Sequence, residues 1–385
     1  MTRTRWLWAV AATALLGCER GAATDSSADS ASDATADRTM STDTGVDTGA
    51  DVTSLDENSP DASLDSGFED SAGDASDDAS DARSDVPVAD VATVDGSFRL
   101  RLMAANLTAG NNQNYDTPPG DTPPGPGIRI MQGVSPDIVM LQEMRIGADD
   151  AAALQGLAHT VLGPAAYFCR EVVDSRGDVP NGVISRFPIR TCGEWQDSRV
   201  INRDYAYAQI DIPGPVDLWA ISVHLHTNGT SRPIEGMEIV ENIRMRIPAT
   251  DYFVVGGDLN TNSITEPVFA TFETLLVVRP LPTDQFGNPG TNANRLVTLA
   301  DGGLDPTRNQ PYDHVMPSRN LYAHIAPIVM SNGTTTYTLP HGMVIDTRVF
   351  DSSTISMIAP ARLTDSAALN MQHMGIIRDF VLPVR

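Results

Sequence analysis

Tyr252-Phe253-Val254-Val255-Gly256-Gly257-Asp258-Leu259-Asn260 decides how the folded part of this chain is read. The first four residues are aromatic or β-branched, and a run of that length predicts a buried strand. Two glycines then end the run, with an acid and an amide directly behind them. A strand that stops by setting down polar side chains puts them on a rim while the core holds them rigid. For this stretch alone, a tight turn capped by Asp258 explains the residues equally well.

The same arrangement recurs along the chain. Asp137-Ile-Val-Met-Leu-Gln142 is a short apolar run followed by Glu143, and Leu218–Leu225 is another, carrying His224 near its end. Phe98-Arg-Leu-Arg-Leu102 alternates with the period of a half-buried strand and leads through Met103-Ala-Ala to Asn106. Gly182–Ser185, Tyr205–Ile212, Asp313–Met316 and Ile376–Leu382 also read as strands. Asp149–Leu162 predicts a helix with Ala153, Leu154, Leu157, Ala158 and Val161 on one face and Gly163-Pro164 as its stop. Ile234, Met237, Val240, Ile243 and Ile247 recur at helical spacing before Pro248. Many strands with few helices predict an α/β (α+β) four-layer sandwich, two packed and mostly antiparallel sheets flanked by helices.

Glu143 and Asp258 are hard oxygen ligands of the kind Mg²⁺ takes, and Asn106 and Asn260 add neutral oxygens or amide donors. His224 and His373 supply imidazole donors. Such a set neutralises charge that builds on a phosphate during in-line displacement. Each residue alone has an ordinary structural explanation; their order along the chain is specific. It resembles the endonuclease/exonuclease/phosphatase superfamily, which includes deoxyribonuclease I, abasic-site endonucleases, neutral sphingomyelinases and inositol polyphosphate 5-phosphatases. The pieces are Met103-Ala-Ala-Asn106-Leu107, Asp137-Ile-Val-Met-Leu-Gln-Glu143, Asn181-Gly-Val-Ile-Ser-Arg-Phe-Pro-Ile189, Ser222-Val-His224-Leu, Gly256-Gly-Asp258-Leu-Asn260, Tyr312-Asp313-His314-Val315 and Gln372-His373-Met374-Gly-Ile-Ile-Arg-Asp379-Phe380.

The resemblance implies roles. Glu143 would be the main metal ligand, assisted by Asn106. Asp258 would orient or activate the attacking water. Asn260 would contact the phosphate and help hold the metal, with Asn181 and Arg203 also on the phosphate and Arg199 close beside. His224 would donate to the phosphate or assist the leaving group, and Asp313 would fix His373 as an imidazolium. One departure stands out: the family's closing Ser-Asp-His is Met371-Gln372-His373 here. Loss of that carboxylate favours a single Mg²⁺ or Mn²⁺ ion over two. Among the other histidines, His226 would share a strand face with His224 if the strand continues, His314 would point away from the site, and His341 has no functional case.

The expected activity is that of a metal-dependent phosphodiester hydrolase, a nuclease with nucleic acid as substrate. Alternatives are a phospholipase C/sphingomyelinase-like enzyme, a sugar-phosphate phosphatase, or a non-catalytic surface module. The loops at 108–127, with its tandem Asp-Thr-Pro-Pro-Gly, and around 283–303 are candidates to line a substrate groove. No protein partner is implied, and a monomer is expected.

The chain's 385 residues divide sharply in composition. Arg3 and Arg5, an apolar run from Trp6 to Leu16, and Leu15-Leu-Gly-Cys18 resemble a lipoprotein export signal, with Cys18 as the acylated residue. Residues 19–95 hold 21 of the 50 acidic residues and three arginines. Rich in Ser, Asp, Ala and Thr, they cannot bury enough apolar surface to offset chain entropy and read as a disordered, self-repelling stalk. Residues 96–385 are expected to form the catalytic domain that the resemblance implies. The expected location is lipid-anchored in a bacterial envelope, at the outer membrane or cell surface. Cys169 and Cys192 remain, either as a disulfide or as two buried thiols.

Overall fold

The computed structural model describes residues 96–108, 124–173, 177–292, 308–368 and 371–384. Cys18, the stalk, and most of the two groove-loop candidates lie outside the described residues. Two sheets form the body. The first has the order β10-β14-β1-β2-β4-β3, with β13 also paired to β14. Its strands are β1 (Ser97–Asn106), β2 (Ile138–Gln142), β3 (Tyr167–Arg170), β4 (Gly182–Ser185), β10 (Ile325–Ala326), β13 (Met343–Ile345) and β14 (Gly375–Pro383). The second has the order β5-β6-β7-β8-β9: Ile189–Trp195, Tyr205–Ile210, Leu218–His224, Tyr252–Asp258 and Asp313–Pro317. A separate hairpin pairs β11 (Ile328–Ser331) with β12 (Thr336–Leu339).

Helices α1 (Pro126–Val134) and α2 (Ala151–Leu162) cover the outer face of the first sheet. Helices α3 (Arg232–Arg246) and α4 (Pro267–Phe272) cover that of the second, and α5 (Arg319–Tyr322) is a single turn. The expected four-layer sandwich is therefore the observed one. Its central seam packs Met103, Met140, Ala220, Val254 and Val315 in one buried cluster, while Ile221, Val223, Phe253 and Val255 face Ile239, Val240, Ile243 and Phe269 in another.

Almost every pairing is antiparallel, with one parallel pair in each sheet: β1 with β2, and β7 with β8. A helix connects each pair, α1 and α3, as a parallel crossover requires. In these pairs Asn106 is level with Gln142, and His224 is level with Asp258. The antiparallel neighbours begin where those strands end: Asp313 is opposite Asp258, and β14 starts beside Ala104 just after His373. Strand direction alone thus delivers the polar residues to one rim.

Several boundaries differ from expectation. The strand through Tyr252 does not stop at the glycines but runs on to Asp258. Gly256 is buried in the seam, where a Cβ would meet Met140 Cε at 2.4 Å; Gly257 has φ +141° and leaves only 2.1 Å between a Cβ and the Val223 carbonyl oxygen. Both glycines therefore serve sheet packing and strand approach rather than a turn. On α3, Met237 is exposed and Ile239 takes the buried place, because Gly236 and Ile239 face α4 and the sheet. Helix α1, β3 and β5 had no clear signal in the sequence. Cys169 on β3 and Cys192 on β5 form a disulfide, Cα–Cα 5.6 Å, joining edge strands of the two sheets.

Candidate active site

Asp258 is the centre of the rim. Its Oδ1 accepts the Asn260 N–H at 2.7 Å, and its Oδ2 accepts Asn106 Nδ2 at 3.1 Å. His224 Nε2 lies 3.3 Å and His373 Nε2 3.6 Å from the same Oδ2. Glu143 joins through Asn106, whose Nδ2 is 3.4 Å from Glu143 Oε1. Glu143 and Asn260 are both held at positive φ, +54° and +51°, a conformation non-glycine residues adopt at a cost of order 1–3 kcal/mol and one that clusters at functional sites.

His373 Nδ1 is 3.0 Å from Asp313 Oδ2, and the Tyr312 ring lies beside the imidazole at 5.8 Å between centroids. Burial alone would lower the His373 value. Asp313, Asp258 and Glu143 together outweigh it and raise it to about 10, so the ring is an imidazolium at neutral pH. His224 is the opposite case. Burial, then Arg203 and His373, hold it well below its ordinary value. It is neutral, and its buried Nδ1 has no hydrogen-bond partner among the described residues, which fits a tautomer with the proton on Nε2 facing Asp258. Burial pushes the Asp258 carboxyl up to about 6 against the pull of His373.

The sequence-derived residues Asn106, Glu143, His224, Asp258, Asn260, Asp313 and His373 are thus brought together. Arg203 and Asn181 are built into the frame. Arg203 Nε donates to the His224 carbonyl at 2.6 Å and Nη2 to that of Leu225 at 3.1 Å, clamping the end of β7. Asn181 Nδ2 donates to the Asp204 carbonyl at 2.6 Å, and its buried Oδ1 has no partner among the described residues. Asn260 Nδ2 donates to the Leu225 carbonyl at 2.8 Å. His226 is not in the site: β7 ends at His224, and His226 Nδ1 accepts the Asn228 N–H. His314 does point away, against Phe269 and the Pro311 carbonyl. Gln372 is half-buried beside His373.

Sequence reasoning missed Gln142 and Ser222. Gln142 Nε2 donates to Ser222 Oγ at 2.9 Å, and Ser222 Oγ donates to the Leu141 carbonyl at 2.7 Å, stitching the two sheets directly beneath the rim. Their sequence signal was present, since each directly precedes or nearly precedes a rim residue within an apolar strand.

Asp258, Asp313 and His373 present ligand-type atoms within 4.8 Å of one another. A protonated imidazole cannot ligate a cation, so this trio reads as an acid–imidazolium pair beside a carboxylate. The place that fits a divalent ion is between Glu143 and Asp258. There the positive end of the Asn106 amide stands between two carboxylates, where a cation would stand. Ligation through Asn106 Oδ1 requires that amide to turn over, releasing the Thr108 N–H that Oδ1 now accepts at 2.8 Å.

Two sheets carrying such a rim at one end define a class, and residues 96–334 match the Endonuclease/Exonuclease/phosphatase family; the chain belongs to it. Members of that family are generally hydrolases of phosphoester bonds. The chain is similar to a family protein of Bacteroides thetaiotaomicron, at 13% identity over 74% of this chain and 98% of that one, TM-score 0.46. It is also similar to a sphingomyelinase C of Streptomyces griseocarneus, at 15% over 73% and 99%, TM-score 0.42. A mannosyl-6-phosphatase of Bacteroides thetaiotaomicron VPI-5482 is similar at 13% over 72% and 98%, TM-score 0.45. No curated protein matches the chain.

Proposed function

We propose that this chain is a metal-dependent phosphodiester hydrolase, a nuclease displayed by an exported, Cys18-anchored protein. The observation that carries the reading is the convergence of Asn106, His224 and His373 on one oxygen of a buried carboxylate, Asp258 Oδ2. Oδ1 stays on the Asn260 N–H, and Oδ2 becomes able to accept a proton from an attacking water once the Asn106 amide and His373 Nε2 turn from it to their other partners. Above about pH 6 that carboxylate is ionised. His373, held as a cation by Asp313, donates from Nε2 to the phosphate as charge accumulates. Neutral His224 keeps Oδ2 oriented. Glu143 and Asp258, with Asn106, would hold a Mg²⁺ or Mn²⁺ ion, which would supply charge neutralisation and a more acidic water. One ion is the reading that the sequence favours, because Gln372 replaces the carboxylate of the family's closing Ser-Asp-His.

A diester is favoured over a monoester by the arginines. A dianionic monoester calls for a free guanidinium fork. Here Arg203 is spent on two carbonyls, and Arg145 and Arg170 both pair with Asp149. A diester carries a single negative charge and needs less. The test is turnover by the full chain on supercoiled DNA, RNA, sphingomyelin and inositol or sugar phosphates, with Mg²⁺, Mn²⁺ or EDTA. Nicking lost with EDTA and in Glu143→Ala supports the reading; hydrolysis of lipid or monoester alone rejects it. Lipid incorporation that disappears in Cys18→Ala tests the anchor.

A further inference from the structure

The loop between β5 and β6 meets the first turn of α3 through two acids that the proposed chemistry does not use. Glu235 and Asp197 are both buried. Glu235 Oε1 accepts the His226 N–H at 2.8 Å. Asp197 Oδ1 accepts the Arg199 N–H at 2.7 Å and that of Val200 at 3.2 Å. The two side chains face each other within hydrogen-bonding reach. Yet the oxygens left for that bond, Glu235 Oε2 and Asp197 Oδ2, are buried and receive no donor among the described residues. Two acceptors cannot bond without a proton between them.

The surroundings set the charge balance. Arg203 faces the pair as a cation. Tyr205 lies against both acids and donates its hydroxyl to Glu238 Oε2 at 3.1 Å, so Glu238 adds a further negative charge nearby. Arg232, three residues before Glu235, is engaged with Glu266 and with the His226 and Thr227 carbonyls. An acid pair with one proton carries one negative charge. Arg203 also answers Asp258 and Glu143, and Asp204, whose Oδ1 accepts the Asp197 N–H at 2.8 Å, adds another acid beside the pair, so one negative charge on the pair is already as much as this cation can offset. Without the proton the pair carries two, in a buried place, against a single cation.

We propose that Asp197 and Glu235 share one proton and act as positioning residues, keeping the Arg203 fork on the His224 and Leu225 carbonyls and so fixing the end of β7 that carries His224. The consequence for hydrolysis rests on the phosphodiesterase reading; the shared proton does not. Burial first, then Asp197, raises the Glu235 carboxyl to about 8 from 4.5. The folded chain therefore keeps a proton that the unfolded chain releases. Stability falls as pH rises from about 4.5 to about 8 and this contribution is constant above that.

The test uses the full chain and Glu235→Gln. The amide Oε1 still accepts the His226 N–H, and Nε2 donates to Asp197 Oδ2, so the charge of the protonated pair is kept with nothing to titrate. Asp197→Asn reverses the arrangement and serves if the first variant does not fold. Two readouts are independent of turnover: the pH dependence of thermal unfolding, and the Arg203 Nε–H resonance, assigned by its loss in Arg203→Lys. In wild type the melting temperature should fall across the pH 4.5–8 window relative to the amide variant, and the Arg203 resonance should shift and exchange faster as pH passes through about 8. In the variant the Arg203 resonance should be flat, and the melting curve should lose the pair's share of the slope while keeping that of His373 and Glu171. Parallel melting curves would overturn the shared proton; an Arg203 resonance that ignores pH in wild type would overturn the positioning role. With an active substrate in hand, the alkaline limb of hydrolysis should move upward in Glu235→Gln, and an unmoved limb also overturns positioning. If no substrate is turned over, the phosphodiesterase reading fails while the first two readouts still decide the proton and the clamp.

Discussion

Replacing Asp313 with Asn isolates the charge that keeps His373 protonated. The side chain keeps its size, and an amide oxygen can still accept from Nδ1 at the 3.0 Å separation seen in the structure. What is removed is the largest of the forces that oppose burial, leaving Asp258 and Glu143 to resist it. His373 should fall from about 10 to near its ordinary 6.5 or below. Two magnitudes follow. In metal-free wild type, a raised imidazole contributes stability that is fully present below 6.5 and is lost as pH rises through about 10. The slope over that window is at most about 1.4 kcal/mol per pH unit, and Asp313→Asn should flatten it. In turnover at pH 8, an imidazolium lowered to 6.5 is about thirtyfold less populated, so the rate should fall about thirtyfold, with recovery toward acid pH. Denaturant unfolding of EDTA-treated protein from pH 6.5 to 10, with a pH–rate profile on the active substrate, measures both. A variant whose unfolding slope and alkaline limb match wild type would show that Asp313 does not hold the proton on His373.

Arg203→Lys should lower kcat with little change in KM, because a single ammonium cannot hold both carbonyls at the end of β7; a rise in KM alone would instead place Arg203 on the substrate. Cys192→Ser should reduce stability by roughly 3 kcal/mol, since the bond closes a loop with a sequence separation of 23, and a reducing agent should do the same to wild type but not to the variant in a melting assay. Gln372→Asp should reduce the Mg²⁺ or Mn²⁺ concentration needed for half-maximal activity; an unchanged requirement would put Gln372 outside the metal's reach. Gly257→Ala should cost about 3 kcal/mol or more, combining a φ of +141° with a Cβ 2.1 Å from the Val223 oxygen, and equilibrium unfolding with a loss under 1 kcal/mol would refute that packing argument.

The parts legible in the sequence were those written in local period. Apolar runs ending at Glu143, His224 and Asp258 located three strands and their polar termini together, because both signals lie within a few residues. Helix α2 was legible for the same reason, down to the Gly163 stop, although it begins at Ala151 behind an Asp150 cap rather than at Asp149. Edge strands were not: β5 has mostly exposed residues and little apolar alternation, since one face meets water. Met237 was misplaced because spacing alone cannot tell which of two adjacent apolar lines faces the sheet. Arg203 and Asn181 were found as residues but not in their contacts. Whether a guanidinium fork meets a phosphate or a carbonyl depends on where a distant strand ends, and no window around Arg203 contains that. The pairing of Asp197 with Glu235 is invisible for the same reason.

The two parallel pairs explain why so much chemistry could be read from strand ends. An antiparallel neighbour starts where its partner stops, so one rim collects the last residue of some strands and the first of others. Asn106, Glu143, His224 and Asp258 come from strand exits; Asp313 and His373 come from strand entries. Carboxylates and amides gathered this way repel or compete unless each is held, and the holding groups lie one layer below: Gln142 and Ser222 across the seam, Arg203 on the β7 carbonyls, and Glu171, whose oxygens accept the Asn181 and Asp204 N–H groups. Burial pushes Glu171 up to about 9 and Glu235 up to about 8, so the frame stores protons while the rim above it holds charges. A frame whose acids keep their protons does not add further negative charge beneath a rim whose own charges change during a reaction cycle. That division of labour links the pH behaviour of the frame to the geometry of the site.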